Sequence, residues 1–572
     1  MNGSAQWRCL CAGLAVCLHA FLGTGAETPE PVTVRVLPSA FCTNATPLRL
    51  GFQVGLSEGP AEVLCAERFA PEVSAAAFQT RPGMREIRDP ETGACSYVFE
   101  NTAECPSGAV LYARALRRNV NYAVRVACRS LKGSGKLQLQ LTPLSGRAKE
   151  AWSGWAKIKT QTTGGASFDV TLRRDGDYQC AFLIEPGDRV EFRGFSMVPK
   201  DANGVWDSAA MAALKKIGAC AMRWPADDGV DFYNWYDGVG SNALRRAEWV
   251  GESAAARHVF GTVEFVGFCR LTGAEPVIRV PVFMPGWRNG RVPDQAAAIQ
   301  MAADWVAYCN ATNGHPLAEL RRRHGHPEPL DVKRWELTMP EGGAFSAAAR
   351  AAMFRAYEEA MRREDPDLRI DIVGPGRFAP LEDRYTEPLM RRLASGDAAE
   401  AAYYRGWYEA LGVANAFLTR LPHGGGGPVC APFFVERAVS REASAPGLLT
   451  EQGLLMAVLN RFPAQPPLAV EGCPADAAAP FKVVAAWTED PGAIVVFVYN
   501  SEAEPHRVRL DLTAFKTRFV FWLSDQLFAD ILQPRTAEKV RVLHRQKAGS
   551  ALSQSVLCEC PPASLTRVVI KE

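Results

Sequence analysis

Helix and strand alternate from Ser208 to Val373, and this rhythm limits the possible folds more than any other feature of the chain. Ser208–Ile217, Thr262–Thr272, Asp294–Asn310 and Ala344–Glu364 carry helical apolar periodicity. Each is followed by a short, nearly continuous apolar run: Ala219–Pro225, Glu275–Pro281, Val332–Met339 and Leu368–Val373. Runs of that kind are strands covered on both faces, and four successive helix–strand units predict a parallel sheet closed into a (β/α) TIM-type barrel, either complete or short of strands.

The flanks follow a different period. Val32–Val36 and Leu48–Val54 alternate apolar and polar residues, as do Asn121–Ala127, Lys136–Leu141, Ser167–Leu172 and Asp188–Phe195, with Gly, Asp and Ser turns between them. Period-2 strands at this spacing predict a β-sandwich, and Val483–Trp487, Ala493–Tyr499, His506–Leu512 and Leu565–Ile570 predict a second one at the C-terminus. The expected fold class is therefore α/β plus all-β. Its expected parts are N-terminal strands over 27–95, a carbohydrate-binding-like β-sandwich over 96–198, the barrel over 199–465 and a C-terminal β-sandwich over 466–572. Trp152 and Trp155 lie in the first sandwich, where each is either a glycan-contacting aromatic or part of the core.

Before all of this, Arg8 precedes the apolar run Cys9–Gly23 and the small-residue stretch Thr24-Gly25-Ala26. That pattern predicts a signal peptide over 1–26 and export, either to secretion or to the periplasm and cell envelope. No later stretch reaches the 18 apolar residues of a membrane-spanning helix. The 64 Lys and Arg nearly balance the 62 Asp and Glu, so no global field attracts nucleic acid. Arg321-Arg322-Arg323-His324 is the local exception and reads as a solvated helix face. Sixteen cysteines include no CxxC pair, and no His-x-x-x-His occurs, so neither a metal site nor a cofactor is expected. Export permits disulfides, with Cys95/Cys105 and Cys558/Cys560 as candidates. The sequence is silent on oligomeric state.

Trp335 to Gly343 reads Trp-Glu-Leu-Thr-Met-Pro-Glu-Gly-Gly. An apolar run that ends in a glutamate and a Gly-Gly break is one way for a strand to deliver a carboxylate to the mouth of a barrel. Glu341 is thus a candidate proton donor to a leaving sugar oxygen, the alternative being a solvated loop residue. Phe260–Phe265, Gly273–Pro276, Trp305–Asn310, Gly325–Pro329 and Val332–Leu337, with Met222-Arg223-Trp224-Pro225 and Tyr233–Gly240, resemble in content and order the barrel of glycoside hydrolase family 51, the α-L-arabinofuranosidases. The resemblance implies that Leu50-Gly51-Phe52 is the first barrel strand, that the first sandwich is inserted after it, and that Pro428–Phe434 is the last barrel strand.

It also implies a retaining hydrolase of polysaccharide or oligosaccharide with two glutamates, an acid/base in Trp-Glu-x-Gly-Asn-Glu after strand four and a nucleophile after strand seven. This chain has Thr338 and Met339 in place of Gly and Asn, and Pro340 in place of the acid/base, so Glu341 stands one residue late. Between Val373 and Tyr404 there is length for only about one of the two β/α units required. Glu436, at the tip of the last strand, is the remaining nucleophile candidate. Arg223, Trp224, Asp227, Asp228 and Trp235 are the candidate substrate-binding residues, with rim-holding as the alternative for Arg223 and the two tryptophans. Two functions follow as expectations: an exported arabinofuranosidase-like hydrolase, or a non-catalytic glycan-binding or cell-envelope scaffold.

Overall fold

The computed structural model describes residues 30–572 apart from 39–49, 54–63, 66–83, 89–94, 145–151, 159–163, 201–207, 227–232, 241–246, 250–254, 258–259, 283–293, 340–345, 374–397, 421–428, 435–437, 440–448, 462–466, 474–478 and 530–541, and the single residues 313, 489, 491 and 503. The signal-peptide expectation lies outside the described residues.

The helix–strand rhythm folds into one parallel sheet. Its strands are β1 (Leu50–Gln53), β2 (Ala221–Trp224), β3 (Glu275–Pro281), β4 (Arg334–Thr338), β5 (Arg369–Val373) and β6 (Val429–Phe434). Their spatial order is β5-β4-β3-β2-β1-β6, and every neighbouring pair is parallel. The helices are α1 (Ser208–Ile217), α2 (Thr262–Thr272), α3 (Gln295–Asn310), α4 (Pro316–Arg323), α5 (Ala347–Glu364), α6 (Ala398–Arg420) and α7 (Glu451–Asn460). Local chemistry fixes several of their ends. The Asp294 and Ser346 side chains accept from the Ala297 and Ala349 N–H groups at the starts of α3 and α5. Gly273, at φ +78°, closes α2 in the left-handed conformation.

The inserted β region is a pair of antiparallel sheets. One holds five strands in a row, with Leu64–Cys65 added against Arg189–Pro199; the other runs Ser107–Leu116, Gly176–Ile184, Lys136–Pro143, Trp152–Lys157. Leu137, Leu139 and Leu141 of one sheet and Val124, Val126 and Phe192 of the other bury into a common core, as strict alternation requires. The C-terminal β region is a nine-stranded sheet whose apolar faces feed two cores, one its own and one shared with the α/β unit.

The strands of the N-terminal stretch join different sheets. Val32–Leu37 pairs with His506–Asp511 and Pro467–Glu471 in the C-terminal sheet, Leu50–Gln53 is a strand of the parallel sheet, and Met84–Arg88 joins the inserted β region. Two expectations are corrected. Arg321 is not on a solvated face; it is buried and donates to the carbonyls of Tyr308 (2.6 Å) and Ala311 (2.9 Å), tying α4 to α3. Cys105, Cys558 and Cys560 are free thiols, the last two buried on one face of a single strand, where burial pushes the Cys558 thiol up to about 12.

Candidate functional site

The parallel sheet has two unlike faces, and strand parity assigns residues to them. Trp335, Leu337 and Met339 enter the core shared with the helices, as do Met222, Trp224, Ile278 and Val280. The intervening residues Arg223, Arg279, Glu336 and Thr338 belong to the opposite face and are all buried. There Ala221 and Val277 form a small apolar floor.

On that opposite face lies a charge cluster. Glu336 is in register with Arg279 on β3 and with Asp371 on β5. Its Oε2 stands 3.5 Å from Arg223 Nη1 and 3.7 Å from Arg279 Nε. Arg279 Nη1 also donates to the Pro225 carbonyl at 3.3 Å, linking β3 to the end of β2. Asp371 is engaged by Arg334, whose Nη2 and Nε lie 3.0 Å and 3.2 Å from Oδ2. Burial pushes the Glu336 carboxyl above its ordinary value; Arg223, Arg279 and Arg334 pull it back, and Asp371 adds to the upward push. A carboxyl in such a setting can hold or release a proton inside the sheet. The signal in the sequence is faint: Glu336 interrupts an apolar strand between Trp335 and Leu337, and Arg223 and Arg279 interrupt theirs in the same way, but only the fold sets all three on one face.

The aromatic candidates sit on the other face. Trp224 is fully buried and stacks on Phe265 of α2, with ring centroids 5.3 Å apart. Its edges meet Tyr233 at 4.6 Å and Trp305 of α3 at 6.1 Å. Trp235, also buried, stacks on Trp305 and donates its indole N–H to the Met301 carbonyl at 2.9 Å. Trp335 meets Trp305 edge-on, and Trp305 in turn donates to Thr262 Oγ1. These rings cement the sheet to α2 and α3 through packing and directional aromatic contacts. The structure thus brings Arg223 together with Glu336 and Arg279, and keeps Trp224 and Trp235 apart from them. Asp227, Asp228, Glu341 and Glu436 lie outside the described residues.

Among the described residues, no group of three or more His, Cys, Asp or Glu side chains is arranged to hold a metal ion. No helix among them is long and apolar enough to cross a membrane.

The family described as the α-L-arabinofuranosidase 1 domain matches residues 213–403. A probable α-L-arabinofuranosidase C of Aspergillus fumigatus is 32% identical over 253 residues, 43% of this chain and 46% of its own length. An intracellular exo-α-L-arabinofuranosidase of Bacteroides ovatus is 27% identical over 36% of this chain and 39% of its own length. The chain therefore matches less than half the length of these curated relatives.

Among solved structures, an arabinose-bound GH51 α-L-arabinofuranosidase superposes with a TM-score of 0.69 at 16% identity, covering 94% of this chain and all of that one. The Thermotoga maritima α-L-arabinofuranosidase arabinose complex gives 0.50 at 17% identity over 64% of this chain and 90% of its own. The chain has the α/β and β-rich fold of the α-L-arabinofuranosidases of glycoside hydrolase family 51.

Proposed function

We propose that the protein is an exported, arabinofuranosidase-like glycoside hydrolase homologue that binds pentose-containing polysaccharide and hydrolyses it weakly or not at all. In this reading the parallel sheet is part of a (β/α) barrel, the two antiparallel sheets of the inserted region form one sandwich, and the nine-stranded C-terminal sheet folds over on itself as another. The relatives' names and the arabinose-bound neighbours support the ligand class.

The observation that carries the loss of chemistry is the sequence that follows β4. Glu336 and Thr338 stand on the face opposite the helices, while Trp335, Leu337 and Met339 are buried toward the helices. By the family pattern set out above, the acid/base position after this strand is residue 340, which is proline. Proline can neither give nor take a proton, and Glu341 stands one residue late in the sequence. General acid/base assistance contributes about 10²–10⁴-fold, and a retaining mechanism needs a second carboxyl group about 5 Å away. Binding asks less: a concave polar site with a few fixed donors suffices, and the buried arginines of β2 and β3 supply a rigid frame for one.

The test is turnover of an aryl α-L-arabinofuranoside by the purified mature protein beside its Glu341→Gln and Glu436→Gln variants, with retention on arabinan measured in parallel. Equal trace rates in all three, with retention preserved, are expected. Robust turnover that vanishes in either variant would overturn the proposal and establish the hydrolase reading.

A further inference from the structure

The inserted β region carries a second surface suited to sugar, remote in sequence from the parallel sheet. Strand Trp152–Lys157 is the edge of the four-stranded sheet, and its residues alternate cleanly. Trp152 and Ala156 pack on the core, Trp152 meeting Phe168 edge-on at 6.4 Å. Gly154 lets that ring lie flat against the strand, since a Cβ there would stand 2.8 Å from the ring. Ser153 and Trp155 therefore face outward. Trp155 is 44% exposed, whereas Trp224, Trp235, Trp305, Trp335 and Trp407 are buried. An indole left this open forfeits roughly the stabilisation that burying a large apolar side chain would give, so packing does not account for it.

What flanks Trp155 is the second observation. Gln138 lies directly across from it, and Ser153 lies across from Gln140. Farther along the same outward face, Thr142 is across from Gln179. Gln138 Nε2 donates to Ser153 Oγ at 2.8 Å, which orients that carboxamide beside the indole. From Trp155 to Thr142 the outward positions of these three strands are carboxamide, hydroxyl, aromatic or aliphatic, and none is ionisable; Lys136 and Lys157 begin the charged rim at one end. The patch extends about 13 Å along the strands and about 10 Å across them.

We infer that this outward sheet face is a binding surface for a neutral polysaccharide chain, with Trp155 stacking on a sugar ring and Gln138, Gln140 and Gln179 exchanging hydrogen bonds with its hydroxyl groups. An aromatic plate beside fixed amides matches the apolar face and hydroxyl rim of a sugar, and the missing charge suits an uncharged polymer over a uronate one. The inference rests on the proposed glycan-binding role only for its ligand class, and it places the contact away from the barrel.

Affinity electrophoresis of the full mature chain through gels containing linear arabinan, arabinoxylan or polygalacturonate tests it, with thermal melting as a folding check. Retardation by the neutral polymers and not by polygalacturonate is expected, with Trp155→Ala weakening it at least about tenfold. Gln138→Ala/Gln140→Ala should weaken it in the same direction, with melting unchanged in both variants. If both variants are retarded as strongly as the parent chain, the surface is not the binding site, although glycan binding by the protein stands. If the parent chain is retarded by no neutral polymer, or by polygalacturonate above all, the inference falls on ligand class. Neither result depends on turnover, so the fate of the barrel chemistry is decided separately.

Discussion

Removing the carboxylate of Asp525 should be among the most damaging single changes outside the parallel sheet. Asp525 faces Arg567 directly across two antiparallel strands, and both side chains are about 1% exposed. The pair is in direct contact. The other Asp525 oxygen takes the Gln546 amide at 2.7 Å and the His544 Nε2 at 3.0 Å. Arg567 Nη1 reaches out of the sheet to the Val458 carbonyl of α7 at 3.1 Å, so this cluster joins the C-terminal sheet to the α/β unit.

Asp525→Ala takes the carboxylate away from a buried guanidinium, and breaking a buried pair from one side costs about 3–5 kcal/mol. At roughly 2–4 °C per kcal/mol for a large unit, that is a fall in melting temperature of about 6–20 °C. Burial pushes the Asp525 carboxyl up, but the bonds from His544 and Gln546 and the charge of Arg567 outweigh it and hold the group well below the ordinary carboxylate range. Its contribution is therefore complete above the unfolded value near 3.9 and fades only as pH falls through the lower folded value. Calorimetry on the single variant and on Asp525→Leu/Arg567→Met separates the cost of an orphaned charge from the worth of the pair, because the apolar double replacement should be nearly neutral. A single variant that melts with the parent, or a double variant as unstable as the single, would refute the reasoning.

Two further expectations concern the parallel sheet. Burial raises the Glu336 carboxyl above its ordinary value, so Glu336→Gln should flatten the decline in parent stability as pH rises above the unfolded value near 4.3, read from urea midpoints between pH 4 and 8. Asp365 is nearly buried and binds Lys333 Nζ and the Asn310 amide, each at 2.8 Å, so Asp365→Ala should cost about 1–3 kcal/mol. Burial raises the Asp365 carboxyl but these partners bring it below its ordinary value, so the cost should be full at pH 7 and shrink below about pH 4 in the same urea series.

Local periodicity located α1 and α2 to the residue because their apolar stripes and terminal residues are short-range signals. It could not place Val32–Leu37, whose partners are more than four hundred residues away and whose alternation fits either β region. Nor does an apolar run reveal which of its faces meets the helices. Trp224 and Trp235 read equally well as a sugar platform or a rim support until Phe265 and Trp305 appear beneath them. The same ambiguity hid Glu336, because a charge on a mid-strand position matters only when Arg223 and Arg279 arrive on the same face from other strands. Trp152 and Trp155 show the converse: one step of strand parity sends one ring to the core and the other to solvent.

The most direct measurement is the separation of carboxyl groups at the C-terminal ends of β4 and its neighbours in a crystal of the protein soaked with arabinose. Retaining hydrolysis requires two such groups about 5 Å apart across the sugar. The account predicts arabinose bound with no second carboxylate within that distance of Glu341. Glu341 found about 5 Å from Glu436 or from any other carboxylate, with the anomeric carbon between them, would contradict it.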